Sequence, residues 1–132
     1  MELQVGVKIL LKNKEGKFLL LQRNPEKYPE VGAKWDIVGG RITPGISLME
    51  NLRREAMEEA GIKIKGEPKL IFAQDILKPD KHIVRLTYIG EVVGEIKLSE
   101  EHSTFRFVSR DELDNLESMD KFIREILDKN LI

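Results

Sequence analysis

Several short stretches of the chain alternate apolar and polar residues or are continuously apolar, which is typical of β-strands. Near the N-terminus, residues 5–11 and 18–22 have this pattern and flank a turn-like segment at residues 13–16, so we expect a hairpin. Residues 23–34 hold two prolines, a glycine and five charges, which predicts a loop long enough to be functional. Further strands are predicted at residues 35–38, 69–75, 82–93 and 105–109.

An apolar stripe with helical spacing runs between Ser47 and Gly61. Its members are Met49, Leu52, Ala56 and Ala60. Ser47, followed three residues later by Glu50, forms a capping box, and Gly61 suits the left-handed residue that follows a helix. A second helix is predicted at residues 118–127 and a short helical turn at residues 111–116. Strands followed by helices without strict alternation favour an α/β fold, in which helices cover a mixed sheet.

Length and composition limit the classes of protein that the chain can be. At 132 residues we expect one domain, residues 1–132, and 41% hydrophobic with 34% charged residues excludes intrinsic disorder. No apolar run reaches the roughly 18 residues of a membrane span and no leader peptide is visible, so we expect a cytoplasmic protein. The absence of cysteine excludes thiolate chemistry, and a net charge of −1 argues against a nucleic acid polymer as partner.

The first predicted helix carries an acidic edge. Glu55, Glu58 and Glu59 stand at i, i+3 and i+4, where like charges repel by a few tenths of a kcal/mol per pair in an exposed helix. One interpretation is a solvated acidic face partly neutralised by Arg53 and Arg54. The other is a bound divalent cation, since magnesium prefers hard carboxylate oxygens. The helix is entered through residues that constrain the backbone, namely Gly39, Gly40, Pro44 and Gly45.

Residues 40–62 resemble the Nudix box, a glycine followed at a fixed distance by Arg-Glu-aliphatic-any-Glu-Glu-any-Gly-aliphatic. The resemblance implies a Nudix-type α/β/α sandwich with a mixed sheet. It also implies hydrolysis, dependent on Mg²⁺ or Mn²⁺, of a nucleoside diphosphate linked to another group. By the same resemblance Glu58 and Glu59 are the main metal ligands, Glu55 lies beside them, Gly39 contributes its backbone carbonyl, and Arg54 orients the glutamates.

A carboxylate must accept the proton of the attacking water, and the resemblance offers Glu55, Glu58 and Glu101 as candidates. For Glu101 the alternative is an ordinary solvated loop residue. His82 and His102 have no His or Cys partner at ligand spacing, so we interpret them as surface or strand residues.

Two further residues resemble family positions beside the nucleotide. Arg23 could meet a phosphate and Trp35 could line the base pocket, although core packing is the simpler interpretation of Trp35.

One position departs from the family pattern. Ile46 stands where the box has a glutamate, and we interpret that glutamate as a partner of the box arginine more than a metal ligand. Glu50 stands one helical turn before Arg54 and could replace it, which predicts a shifted network and a slower enzyme. Loss of activity is the alternative.

The favoured substrate is a nucleoside triphosphate, oxidised ones included, cleaved to a monophosphate and pyrophosphate. Pro79 stands near a position that is diagnostic in ADP-ribose hydrolases, so hydrolysis of ADP-ribose or another nucleotide sugar is the second interpretation. A non-catalytic nucleotide sensor is a third. A protein-interaction module would instead expose Phe122, Ile123 and Ile126. The family resemblance is compatible with a monomer or a homodimer.

Overall fold

Seven strands and three helices make up the part of this computed structural model that is described, residues 1–29 and 34–132. In chain order they are β1 (Glu2–Lys12), β2 (Phe18–Arg23), β3 (Trp35–Asp36), β4 (Val38–Arg41), α1 (Leu48–Ala60), β5 (Lys63–Leu77), β6 (Lys81–Val93), β7 (His102–Val108), α2 (Arg110–Asp114) and α3 (Lys121–Asp128). Residues 30–33 of the predicted loop lie outside the described residues.

The sheet is mixed and is organised around β1. Strand β1 pairs with β6 in parallel along its whole length, and β5 pairs with β6 antiparallel. On its other edge β1 pairs antiparallel with β4 over Gly6–Ile9, whereas β2 pairs with β7 and β3. The predicted fold class, an α/β/α arrangement with a mixed sheet, is therefore confirmed.

The predicted hairpin is only partly right. Within the described residues β1 and β2 are paired at a single position, Lys12 with Phe18, and then separate. Residues 35–38 were predicted as one strand but belong to two. The first part, β3, pairs with β2, and the second part, which begins β4, pairs with β1. Ile37 is the residue between them. A local sequence pattern does not show which of two neighbouring strands a segment will pair with.

Apolar side chains cover both faces of the sheet. On one face Leu52, Ala56 and Ala60 of α1 pack with Val7, Ile9 and Leu11, and on the other Ile123 and Leu127 of α3 pack with Leu10, Leu20 and Ile37. Since strand side chains alternate between faces, β1 supplies both cores from neighbouring positions.

Helix α1 begins and ends where its caps predict. The Ser47 Oγ accepts from the Glu50 N–H at 3.1 Å, and Gly61 has a φ of 64° with its N–H directed to the Ala56 and Met57 carbonyls. Asn51, which sequence reasoning did not single out, is fully buried and fixes the approach to the helix. Its side chain accepts from the Thr43 N–H and donates to the carbonyls of Ile46 and Ser47.

Helix α3 starts later than predicted because Asp120 caps it, accepting from the Ile123 N–H at 2.8 Å. Ile123 and Ile126 are fully buried against the sheet, so the exposed patch that an interaction module requires is not formed. The prediction of an exposed patch for the interaction-module alternative is therefore wrong. No helix in residues 1–29 and 34–132 is long and apolar enough to cross a membrane.

Candidate functional site

Two carboxyl groups of α1 lie beside β4, that of Glu59 at the Gly39 N–H and that of Glu55 against Gly40. Glu59 is only 7% exposed, and its Oε1 accepts from the Gly39 N–H at 3.2 Å. Burial raises the pKa of Glu59 to about 9; the Lys8 charge opposes this rise, and the hydrogen bond and charge of Glu55 add to it. The buried position of Glu59 therefore favours its protonated form.

Both box-entry glycines are required by the space around them. A Cβ on Gly40 would lie 2.9 Å from the Glu55 Oε2 and would displace that carboxylate. Gly39 has a φ of +148°, and a Cβ there would lie 2.1 Å from the Val7 carbonyl oxygen. Glycine at positions 39 and 40 therefore allows β4 to lie close to the Glu55 carboxylate and to β1, which a residue with a Cβ would prevent.

Arg54 holds two of the glutamates. Its Nη2 lies 3.1 Å from Glu55 Oε1 and its Nε lies 3.7 Å from Glu58 Oε1, while its Nη1 donates to the Thr43 hydroxyl. Glu58 exposes 62% of its side chain and does not join the buried pair. Within the described ranges no three His, Cys, Asp or Glu side chains already surround one point, so the ligand roles remain predictions.

The donor chemistry nevertheless suits a divalent cation. Glu55 and Glu59 supply carboxylate oxygens, which magnesium and manganese prefer, and the raised pKa of Glu59 indicates that positive charge is favoured beside it. A cation in that position would replace the proton and relieve the repulsion between the two carboxylates.

The partner predicted to replace the missing box glutamate is not used. Arg54 is satisfied by Thr43, Glu55 and Glu58, and among the described contacts none joins it to Glu50. Ile46 exposes 39% of its surface and leaves the arginine network undisturbed. The Thr43 hydroxyl therefore adds a neutral acceptor to a network that keeps two glutamates beside the arginine.

His102 lies beside the carboxylate pair, and sequence reasoning missed this. It starts β7, as a strand residue, but it is 6% exposed and its Nε2 lies 3.8 Å from Glu59 Oε2. Burial, reinforced by the charge of Arg23, lowers the pKa of His102 and favours the neutral imidazole. The segment before it is bonded to α1, because the N–H groups of Lys97 and Ser99 donate to the carbonyls of Ala60 and Glu59.

A second feature that was missed is an ion pair between β1 and β3. Lys8 Nζ lies 3.1 Å from Asp36 Oδ2 and also donates to the Ile37 carbonyl at 3.2 Å. Burial by itself would raise the pKa of Asp36, but the charge of Lys8 and the Ile37 N–H keep it below its usual range. A lysine in the middle of the apolar segment VGVKILL was the available signal.

The remaining predicted site residues lie around this centre. Arg23 is paired with His102 in the β2–β7 ladder and stacks on Tyr28 at 4.7 Å. Trp35 is half-buried and packs against the second core, as its simpler interpretation predicts. Glu101 is exposed and its carbonyl accepts from the Asn24 N–H. The catalytic role of Glu101 and the substrate-binding roles of Arg23 and Trp35 stay predictions.

Comparison with known proteins identifies the family. Residues 2–129 match the profile described as "NUDIX domain". The chain belongs to the Nudix family. Among solved structures, the MutT protein from Methanosarcina mazei Go1 is 30% identical, with a TM-score of 0.84 over 97% of this chain and 92% of that chain. A MutT Nudix hydrolase from Burkholderia pseudomallei is 21% identical, with a TM-score of 0.79 over 97% and 98%.

A UDP-X diphosphatase structure is 24% identical, with a TM-score of 0.72 over 96% of this chain and 62% of that chain. A curated relative, the NAD-capped RNA hydrolase NudC from Chromobacterium violaceum, is 33% identical over 81 residues. The match covers 61% of this chain and 28% of that protein. The chain is thus a Nudix hydrolase, a family that generally uses divalent metal ions and acts on small nucleotide substrates.

Proposed function

We propose that this Nudix hydrolase cleaves nucleoside triphosphates, oxidised ones included, to a monophosphate and pyrophosphate with the help of Mg²⁺ or Mn²⁺. The observation that carries the proposal is the placement of two carboxyl groups of α1 beside β4, Glu59 buried at the Gly39 N–H and Glu55 against Gly40. We further propose that residues 1–132 act as one domain, in the cytoplasm, as a monomer or homodimer, without a membrane or nucleic acid polymer as partner.

The cation would be held by carboxylate oxygens of Glu55, Glu58 and Glu59 and by the Gly39 carbonyl. When bound, it would neutralise phosphate oxygens and lower the pKa of a water molecule. Support comes from the carboxyl pair, since two acids kept together at a buried position are stabilised by a positive charge. Glu58 would join them by leaving its long, 3.7 Å contact with Arg54, which costs little at an exposed position.

Different side chains would have different roles in the reaction. Arg54 positions Glu55, to which it is bonded at 3.1 Å, and Arg23 meets the phosphates. A water oxygen attacks phosphorus, the bridging P–O bond breaks, and pyrophosphate leaves. Glu58 and Glu101 are exposed, so either can accept the water proton and release it to solvent. Glu55 is less suited to this because it already contacts Arg54 and Glu59.

Two other functions use the same fold. Hydrolysis of a nucleotide sugar, ADP-ribose included, is the second candidate, because one structural neighbour is a UDP-X diphosphatase. A non-catalytic nucleotide sensor is disfavoured because the chain retains Arg54, Glu55, Glu58 and Glu59 together.

Product analysis over a panel of nucleotides tests the proposal. Wild-type protein with Mg²⁺ or Mn²⁺ is incubated with nucleoside triphosphates, ADP-ribose, UDP-sugars and NAD, and the products are separated. We expect monophosphate and pyrophosphate from triphosphates, and at least a 100-fold lower rate for Glu59→Gln. Glu67→Gln, an exposed glutamate on β5, is the matched control and should keep the wild-type rate. Orthophosphate release or inactivity towards every triphosphate would contradict the proposal.

A further inference from the structure

The carboxyl group of Glu59 has a different neighbour at each of its two oxygens. Its Oε1 accepts from the Gly39 N–H of β4 at 3.2 Å, and its Oε2 lies 3.8 Å from the His102 Nε2 of β7. The side chains of His102 and Glu59 are only 2% and 9% exposed. The proposed function gives roles to Glu59 and Gly39 but none to this buried histidine.

An irregularity in the β2–β7 ladder directs His102 towards α1. Phe107 of β7 packs on the core beneath α1, and strict alternation along the strand would turn His102 to the other face of the sheet. Positions 22 and 23 of β2 pair with positions 104 and 102 of β7, so Ser103 is an additional residue. A bulge of this kind re-aims a side chain, and here the imidazole faces Glu59.

The turn that precedes His102 is anchored on the same glutamate. The Ser99 N–H donates to the Glu59 carbonyl at 3.1 Å, and the His102 N–H donates to the Ser99 carbonyl at 3.4 Å. Glu59 therefore holds residues 99–102 through its main chain and faces the last of them with its side chain. Short backbone connections thus place the imidazole relative to the carboxyl group.

The surroundings of the ring indicate which of its nitrogens carries the proton. A neutral imidazole has one N–H donor and one acceptor nitrogen. The buried His102 Nδ1 has no hydrogen-bond partner within residues 1–29 and 34–132. Because a buried N–H without an acceptor is costly, the proton is favoured on Nε2, which faces Glu59 Oε2. A shift of less than about 1 Å would bring these two atoms to a normal hydrogen-bond distance.

We propose that His102 is a positioning residue of the metal site, whose Nε2–H holds the Glu59 carboxylate in the orientation that binds the divalent cation. The inference rests on the proposed function, in which Glu59 is a metal ligand. Residues that orient a ligand commonly change metal affinity by roughly 10- to 100-fold. Among the described residues no three His, Cys, Asp or Glu side chains surround one point, which favours a supporting role over direct coordination.

Titration of the nucleotide-free protein with Mn²⁺ tests this role, with free Mn²⁺ measured by electron paramagnetic resonance. His102→Leu removes the donor and should weaken binding by roughly 10- to 100-fold. His102→Gln places an amide N–H near the position of Nε2 and should bind within about threefold of the wild type. The amide of His102→Asn is too short to reach Glu59. That variant should lose affinity as His102→Leu does, and it serves should His102→Leu not fold.

Two further readouts separate positioning from a loss of folding. A folding defect lowers the number of Mn²⁺ sites per chain, whereas we expect His102→Leu to keep one class of sites with a weaker affinity. In triphosphate hydrolysis the Mn²⁺ concentration for half-maximal rate should rise, and kcat at saturating Mn²⁺ should recover. His82→Leu is the matched control, because His82 is paired with Asp75 on β5. It should bind Mn²⁺ as the wild type does.

The possible results distinguish this inference from the proposed function. Mn²⁺ binding that depends on His102, in a protein that hydrolyses no triphosphate, would uphold positioning and refute the proposed activity. Triphosphate hydrolysis with equal Mn²⁺ affinity in wild type, His102→Leu and His102→Asn would do the reverse. Positioning would also be overturned by an equal loss of affinity in His102→Gln and His102→Leu, by a wild type that binds no Mn²⁺, or by a histidine nitrogen bound directly to Mn²⁺ in pulsed spectra.

Discussion

Lys8 Nζ lies 3.1 Å from Asp36 Oδ2, so an ion pair joins β1 to β3 where the edges of β1 and β2 separate. The two side chains are 16% and 23% exposed. The pair occupies a position where the backbone ladder between β1 and β2 is interrupted.

Replacing Lys8 by Met should destabilise the protein by about 2–3 kcal/mol, because it leaves a largely buried Asp36 without its partner. Urea unfolding monitored by circular dichroism measures the change. The double variant Lys8→Met/Asp36→Leu should recover most of the loss, and Lys14→Met, at an exposed turn, should have almost no effect. A Lys8→Met protein as stable as the wild type would contradict this account of the pair.

Gly40→Ala should weaken metal binding at least tenfold while changing the melting temperature little. The added Cβ would meet Glu55 Oε2 at 2.9 Å and push that carboxylate away from Glu59. Calorimetric titration with Mn²⁺ measures the affinity. Gly6→Ala is the matched control, since its Cβ would make only ordinary contacts of 3.7 Å or more. Equal loss in both variants would mean that the close approach of Glu55 to Gly40 does not matter.

The stability of the metal-free protein should fall as pH rises from neutral towards 9. The pKa of Glu59 is raised from 4.5 to about 9, so folding favours the protonated carboxyl. Its contribution is fully present below about pH 4.5 and is lost as pH rises through 9. Melting temperatures in EDTA between pH 6 and 9.5 measure this.

Glu59→Gln resembles the protonated form and should flatten the high-pH part of that profile. Addition of Mg²⁺ at pH 8.5 should restore the stability of the wild type but not of the variant, because a ligand that binds only the folded state stabilises it. The same slope in wild type and Glu59→Gln would assign the pH dependence to other groups.

Asn51→Ala should destabilise the protein by about 2–4 kcal/mol, since it removes a fully buried amide that makes several hydrogen bonds and leaves the Thr43 N–H unpaired. Chemical unfolding gives the value. Asn115→Ala, which loses one exposed bond to the Asp111 carbonyl, is the control and should cost less than about 1 kcal/mol.

Introducing the family glutamate by Ile46→Glu should change kcat/KM by less than the roughly 10- to 100-fold typical of residues that support metal ligands. Arg54 already has Thr43, Glu55 and Glu58 as partners. Kinetics of both proteins on the best triphosphate decide this, and an increase of 100-fold or more would show that the wild-type network is incomplete.

The sequence was sufficient where the interactions are local. Ser47 and Gly61 mark the ends of α1 because caps depend on residues within one turn, and Arg54 meets Glu58 because i, i+4 spacing places them on the same side of the helix. The resemblance of residues 40–62 to the Nudix box predicted the family, and the match of residues 2–129 to the family profile confirms that prediction.

What the sequence did not contain depends on strand register. His102 is next to Glu59 because β7 pairs with β2, and Arg85 is next to Gln74 because β5 pairs with β6 around two irregularities. A shift of one residue in either ladder would turn these side chains to the other face. Long-range pairing of this kind also explains why the predicted hairpin was only partly right.

The N–H groups of Lys97 and Ser99 are bonded to the last turn of α1, so the segment just before Glu101 and His102 is attached to the end of that helix. Any displacement of the helix would therefore carry the histidine and the exposed acid with it. The glutamates of α1 and the segment that carries Glu101 are therefore tied together by main-chain bonds although they are far apart along the chain.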